Sequence, residues 1–345
     1  MMIALADAVA RLPKAELHVH LEGSVRPETI AAIASRHGLA MTAEKAAAHY
    51  EFRDFAGFIE AYKWVYGYLK TPSDFASITQ DLAEELIRQN VVYAEVTISA
   101  GVMLRFAQNV EANMAAIQDA ALRYRTKGLK LAWILDAARQ FGGGQARKVA
   151  EVAVKLRPLG VVAFGLGGDE LAAPTADFRS AFELAQSEGL HVVAHAGEIG
   201  PPKIVRESID MLGAERLGHA IALAQDPALA DHVATRRIPV EICLTSNLRT
   251  GALAKQTKNP KAKMKNHPLP KLLEHGITVT LGSDDPAIFK ASLLEEYWNA
   301  ISLGLTAGQI ARILEAGFSG AFLPPEEKRP MVEKLRAEAR ALGIL

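Results

Sequence analysis

At 345 residues the chain exceeds the usual single core of about 100 to 200 residues, but alternating strands and helices routinely close one barrel of about 250 residues or more. Lys plus Arg and Asp plus Glu each total 39, so the formal charge is zero and no basic stripe of the kind a nucleic-acid polymer needs is present. The single cysteine, Cys243, excludes an internal disulfide and any zinc site with two thiolates, so a zinc ion here would rest on nitrogen and oxygen.

Met1 to Arg11 is apolar and alanine-rich but carries Asp7 and lacks a basic leader, so no signal peptide is expected. No run of about 18 apolar residues occurs, so no membrane span is expected and the cytoplasm is the expected location. The first strand is expected over Glu16 to Leu21, with His18 and His20 one residue apart. Positions i and i+2 of a strand share a face, so both imidazoles can converge on one point. Such a pair is half of a zinc site or two ordinary buried histidines, and only further ligands decide.

From Gly23 to Pro72 the chain is too long for a simple crossover and holds two helical patterns, Pro27 to His37 and Phe55 to Leu69. The second repeats Phe55, Phe58, Ile59, Tyr62, Val65, Tyr66 and Leu69 at helical spacing, a core stripe that an insertion after the first strand would also bring over a pocket. Further strands are expected at Val91 to Ile98, Leu129 to Leu135, Val161 to Leu166, Leu190 to Ala194, Arg216 to Ala220, Ile238 to Leu244 and Ile277 to Leu281. Helical patterns separate them: Asp74 to Gln89, Asn109 to Tyr124, Gly144 to Leu156, Asp177 to Ser187, Ile204 to Leu212 and Pro227 to Thr235. This is the pattern of an α/β protein with a TIM-type (β/α)8 barrel, where reactive groups belong at the carboxyl ends of the strands. Helical patterns at Leu293 to Leu303, Thr306 to Ala316 and Pro325 to Ala341 complete the barrel and add a tail. No repeat or linker interrupts the chain, so residues 1–345 read as one domain, with 23–72 a helical insertion over the barrel mouth.

The fifth strand ends in His195-Ala196-Gly197-Glu198, the sixth in Gly218-His219-Ala220, and the eighth in Ser283-Asp284-Asp285-Pro286. Each alone reads equally as a cap or loop contact. Together they place three histidine or carboxylate clusters on one face. His18, His20, His195 and Asp284 form the thiol-free set that a catalytic zinc takes, and a zinc ion there brings a bound water toward a pKa of about 7, making hydroxide the nucleophile. The fourth strand ends Gly165-Leu166-Gly167-Gly168-Asp169-Glu170 without a lysine to carboxylate, so one zinc per chain is expected. Asp169 beside glycines reads first as a turn or cap residue.

The motifs Glu16 to Ser24, Gly165 to Glu170, His195 to Glu198, Gly218 to Ala220 and Ser283 to Pro286, in this order and spacing, resemble the adenosine deaminase family of the amidohydrolase superfamily over Leu12 to about Phe289. The resemblance implies hydrolytic replacement of a purine 6-amino group by oxygen, with release of ammonia. It makes His18, His20, His195 and Asp284 the zinc ligands and Glu198 the acid that protonates the ring nitrogen beside the attacked carbon. By the same resemblance His219 orients or deprotonates the water, Asp285 holds the five-membered-ring nitrogen, and the Gly168 amide serves another ring nitrogen. Glu241 is expected to orient His219, and Ser246 to hydrogen-bond an active-site carboxylate.

Glu22 stands where many adenosine-specific members have aspartate, at the family's contact to the sugar 5'-hydroxyl. Members acting on free adenine tend to show glutamate followed by Gly-Thr, whereas this chain reads Glu22-Gly23-Ser24. The expected substrate is an adenine nucleoside, adenosine or the 5'-extended 6-amino-6-deoxyfutalosine, with free adenine as the alternative and a non-catalytic purine-binding homologue as the non-enzyme reading. A zinc hydrolase of esters or amides fits the pairing of Glu198 with Asp285 less well. Cations expected to meet a carboxylate on the 5' extension are Arg139, Arg249, Lys258, Lys261, Lys263 and Lys265.

Overall fold

The computed structural model describes residues 4–345, so Met1, Met2 and Ile3 of the amino-terminal segment fall outside it. Eight parallel strands run in the order β1 (Lys14–His20), β2 (Val91–Ile98), β3 (Lys130–Ala138), β4 (Val161–Gly167), β5 (His191–Ala196), β6 (Arg216–His219), β7 (Val240–Ile242) and β8 (Val279–Leu281). The ring closes just beyond β8. The His20 amide donates to the Asp284 carbonyl at 2.8 Å and the Asp284 amide donates to the His18 carbonyl at 2.9 Å. Main-chain bonding thus sets His18, His20 and Asp284 side by side before any side chain is considered.

All eight expected strands are present, because strands covered on both faces read as continuous apolar runs. β7 is shorter than expected: its pairing begins after Pro239, which has no amide to donate, and Leu244–Arg249 is already helical. The expected helices between strands also form, as Pro72–Arg88, Val110–Leu122, Gly143–Lys155, Arg179–Ser187, Pro202–Asp210 and Pro227–Thr235. The first of these starts with Pro72 in its first turn and a capping box between Thr71 and Asp74. Short helices such as Ala43–Ala48, Ala100–Arg105, Ala252–Gln256 and Leu269–Glu274 were not expected, being too brief to display a 3.6-residue period. Among the described residues no helix is long and apolar enough to cross a membrane.

The barrel floor is charged. Arg216, fully buried on β6, pairs through Nη1 with Glu95 of β2 at 2.5 Å and through Nε with Glu241 of β7 at 2.6 Å. It also donates to the Gly320 carbonyl at 3.0 Å and lies over the Phe322 ring, 3.9 Å from its centroid. The segment after the Ala307–Ser319 helix therefore closes the amino-terminal end of the barrel, and the carboxyl end stays free for the site.

Candidate active site

Glu241 continues the buried charges upward. His18 Nδ1 donates to Glu241 Oε2 at 2.7 Å. Burial opposes ionisation of Glu241, but Arg216 and His18 outweigh it and hold the carboxyl below its usual range. His18 therefore carries a proton on Nδ1, and its Nε2 faces inward, buried without a hydrogen-bond partner. His18 Nε2 lies 3.5 Å and His20 Nε2 3.4 Å from the same Asp284 oxygen, Oδ1. The rings of His18 and His195 stand 4.7 Å apart. One donor atom each from His18, His195, His219 and Asp284 falls within 4.8 Å of the others, and His20, Asp284 and Asp285 form an overlapping group. Three of the expected ligands, His18, His195 and Asp284, thus share one group with His219, and His20 meets Asp284 in the second; these imidazole and carboxylate donors, with an orphaned inward nitrogen, fit a divalent cation of zinc type. His219 and Asp284 are held at φ 60 and φ 63, left-handed values that non-glycine residues rarely adopt and that cluster at functional sites.

Glu241 does not orient His219. Its carboxylate ends on His18, whose Cε1 would lie 2.8 Å from a Cβ added at Gly218. His219 Nδ1 is instead 3.0 Å from Asn247 Nδ2. Nor does Ser246 reach a carboxylate: its hydroxyl is buried without a partner. The hydroxyl one helical turn on, Thr250 Oγ1, donates to Glu198 Oε1 at 3.3 Å.

Glu198 is buried, with Oε2 3.8 Å from His219 Nε2. Burial, then the charges of Asp284 and Glu170, push its carboxyl well above the usual range, which favours the protonated form. Its loop is tied down by Glu170, which accepts from the amides of Gly197 and Glu198 at 2.8 Å and of Gly200 at 3.1 Å. Gln256 donates to the Glu198 and Gly200 carbonyls. The adjacent Asp169 accepts from the Leu171 amide at 2.9 Å and lines the cavity. Glu170→Ala is expected to lower kcat by about 10- to 100-fold while bound metal is retained. Steady-state kinetics with metal analysis checks this, and wild-type kcat would mean that the loop holds its shape unaided.

Asp285 is also buried, and burial followed by the adjacent Asp284 raises it well above the usual range; its Oδ1 has no partner. Gly168, at φ +83, lies where a side chain would strike Gln140. These residues line a cavity of about 620 Å³ that reaches from His20, His195, Glu198, His219 and Asp284 to an aromatic rim of Phe55, Phe58, Tyr62, Phe106 and Phe141. The adenosine deaminase family model matches residues 13–338.

The chain belongs to the adenosine deaminase family. It is 37% identical to an aminodeoxyfutalosine deaminase of Streptomyces coelicolor, over 95% of this chain and 84% of that protein. It is 32% identical to an adenine deaminase of Paraburkholderia phytofirmans, over 98% and 97% of the two chains. The crystal structure of an adenine deaminase from Arthrobacter aurescens superposes with a TM-score of 0.88 at 25% identity, covering 95% of this chain and 99% of that one. The protein is thus a hydrolytic deaminase of the adenosine deaminase family.

Within this adenosine deaminase frame, several expected substrate contacts fall elsewhere. β1 ends at His20 and a 3-10 turn, Glu22–Ser24, follows, so the alternation that would have aimed Glu22 beside the histidines is broken. Glu22 is fully buried and accepts from the Ser99 amide at 3.0 Å and the Tyr62 hydroxyl at 3.1 Å. Tyr62 and Ser99 line the cavity, while Glu22 stands behind them. Asp136 of β3, not singled out from the sequence, is a cavity-wall carboxyl that burial raises to about 8. Arg139 is buried and donates to the His195 carbonyl, and Arg249 donates to the Phe289 and Tyr50 carbonyls. Lys258, Lys261, Lys263 and Lys265 do not line the cavity; the cations that do are Lys63, paired with Glu60 at 2.7 Å, and Arg105.

Proposed function

We propose that the protein removes the 6-amino group of an adenine nucleoside bearing an extended, carboxylate-tipped 5' substituent of the 6-amino-6-deoxyfutalosine kind, releasing ammonia. The observation that carries this reading is the cavity: at about 620 Å³ it is much larger than a bare purine requires, and its outer part combines aromatic walls with Arg105. An aromatic acid would stack on such walls and meet the guanidinium. The name of the Streptomyces coelicolor relative supports the same substrate class.

The inner residues suit the ring chemistry. Adenine offers unprotonated ring nitrogens as acceptors, and the site offers donors: the carboxyls of Glu198 and Asp285, whose protonated forms burial favours, and the Gly168 amide. Glu198 delivers its proton to the ring nitrogen beside the attacked carbon, giving the displaced electron pair a place to rest. Asp285 and Gly168 hold the base in plane, and Asp136 faces the sugar hydroxyls. His18, His20, His195 and Asp284 would hold a divalent cation, zinc by the chemistry of the set, which would supply a polarised water near neutral pH.

Adenine deaminase is the second reading, favoured by the 32% identity to the Paraburkholderia phytofirmans protein. The expected order of kcat/KM on metal-loaded enzyme is aminodeoxyfutalosine above adenosine above adenine. Arg105→Gln is expected to lower kcat/KM for the carboxylate-bearing nucleoside about tenfold more than for adenosine. A clear preference for adenine sinks the nucleoside reading.

A further inference from the structure

His219 reaches the cavity through Nε2, 3.8 Å from both Glu198 Oε2 and Asp284 Oδ2. If that nitrogen carries a proton, His219 donates to an oxygen placed there; if it is bare, His219 takes a proton or ligates a cation. Three hydrogen bonds on the far side of the ring decide between these. The backbone amide of Leu269 donates to His267 Nδ1 at 3.1 Å. A backbone amide can only donate, so His267 Nδ1 accepts. Burial, then His219, lowers His267 to about 3, so its ring is neutral and its one proton sits on Nε2. His267 Nε2 therefore donates to Asn247 Oδ1 at 3.1 Å, which fixes the orientation of the Asn247 amide. Asn247 Nδ2 then donates to His219 Nδ1 at 3.0 Å, and the remaining proton of His219 must be on Nε2.

His18 shows the opposite polarity in the same cluster. Its outer nitrogen donates to a carboxylate, so in the neutral ring its inner nitrogen is the one with the lone pair. The two rings look alike in the sequence, yet an amide donor behind one and a carboxylate acceptor behind the other make His18 a ligand and His219 a donor.

We infer that His267 and Asn247 are positioning residues that lock His219 with its proton on Nε2, so that His219 donates a hydrogen bond to the oxygen that adds to the ring carbon, and neither ligates the cation nor deprotonates water. The role of that N–H rests on the deamination proposed above; the tautomer does not.

Metal-loaded enzyme carrying 15N-labelled histidine tests this by long-range 1H–15N correlation, with the His219 signals assigned through their loss in His219→Asn. The expected pattern for His219 is a protonated-type Nε2 and an unprotonated-type Nδ1. In Asn247→Asp the new carboxylate accepts from Nδ1, so the pattern is expected to invert, with kcat falling by about 100-fold and KM changing far less. His267→Gln, which keeps a donor toward Asn247, is expected to retain most of kcat where His267→Ala does not. An unprotonated Nε2 in the wild-type protein, or full kcat in Asn247→Asp, overturns the inference. Absence of nucleoside turnover in the wild type would instead defeat the proposed reaction, while the spectrum still judges the tautomer.

Discussion

Replacing Glu198 by glutamine is expected to lower kcat/KM by about 100- to 10,000-fold, the usual worth of a positioned general acid, with the metal content unchanged. Glu198 belongs to neither group of converging ligand atoms, and glutamine preserves its shape, so the cation has no reason to leave. The pH profile gives an independent check. Burial, with Asp284 and Glu170 nearby, raises the Glu198 carboxyl, so the active, protonated form persists to higher pH than for an ordinary carboxyl and is lost as pH rises through the raised value. The wild-type profile is expected to fall on its alkaline side, and the residual rate of Glu198→Gln is expected to lack that limb. Stability follows the same sign. A carboxyl whose folded value lies above its unfolded value of 4.5 contributes stability that is full below 4.5 and is lost as pH rises through the folded value. Thermal melts are thus expected to coincide near pH 4 and to favour Glu198→Gln at alkaline pH. Unchanged turnover would remove Glu198 from the chemistry.

Arg216→Met is expected to destabilise the protein by about 3–5 kcal/mol, because it leaves the buried carboxylates of Glu95 and Glu241 without their shared cation. The same change reaches the site. Arg216 is the largest influence keeping Glu241 ionised against burial, and ionised Glu241 fixes the proton of His18 on Nδ1. Metal affinity is expected to drop roughly 10- to 100-fold. Urea denaturation and competitive metal titration measure the two effects separately. Replacing Glu95, Arg216 and Glu241 together by apolar residues is expected to recover stability but not affinity, since a buried ion group is readily exchanged for hydrocarbon whereas the His18 partner is not. If Arg216→Met unfolds at the wild-type urea midpoint, the floor charges do not hold the barrel together.

The barrel and the shared face of its first two histidines were legible because both rest on periodicity. Strands buried on two faces read as unbroken apolar runs, and His18 and His20 obey the two-residue alternation of β1. Glu22 was misread at the point where that alternation stops, in the Glu22–Ser24 turn. Glu170, Asn247, His267 and Thr250 act through partners 20 or more residues away, and pairings of that kind leave no trace in local spacing. Arg105 and Phe106 end a helix too short to show a pattern, so that part of the rim was invisible, whereas the helical stripe of Phe55, Phe58 and Tyr62 did announce the rest. The expected cations failed for a related reason. Basic residues are plentiful, and only the packing distinguishes Arg249, spent on two carbonyls, from Arg105 at the cavity edge.

The floor seal made by Gly320 and Phe322 would tie two distant events into one equilibrium once a cation is bound. A continuous line of contacts runs from that segment through Arg216 and Glu241 to the inward nitrogen of His18. Whatever free energy the seated carboxyl-terminal segment lends to the cation, the bound cation must return to the segment, because such coupling is reciprocal. Metal loading should therefore shield the far end of the molecule from proteases, and a nick near Ser319 should be felt first as metal loss.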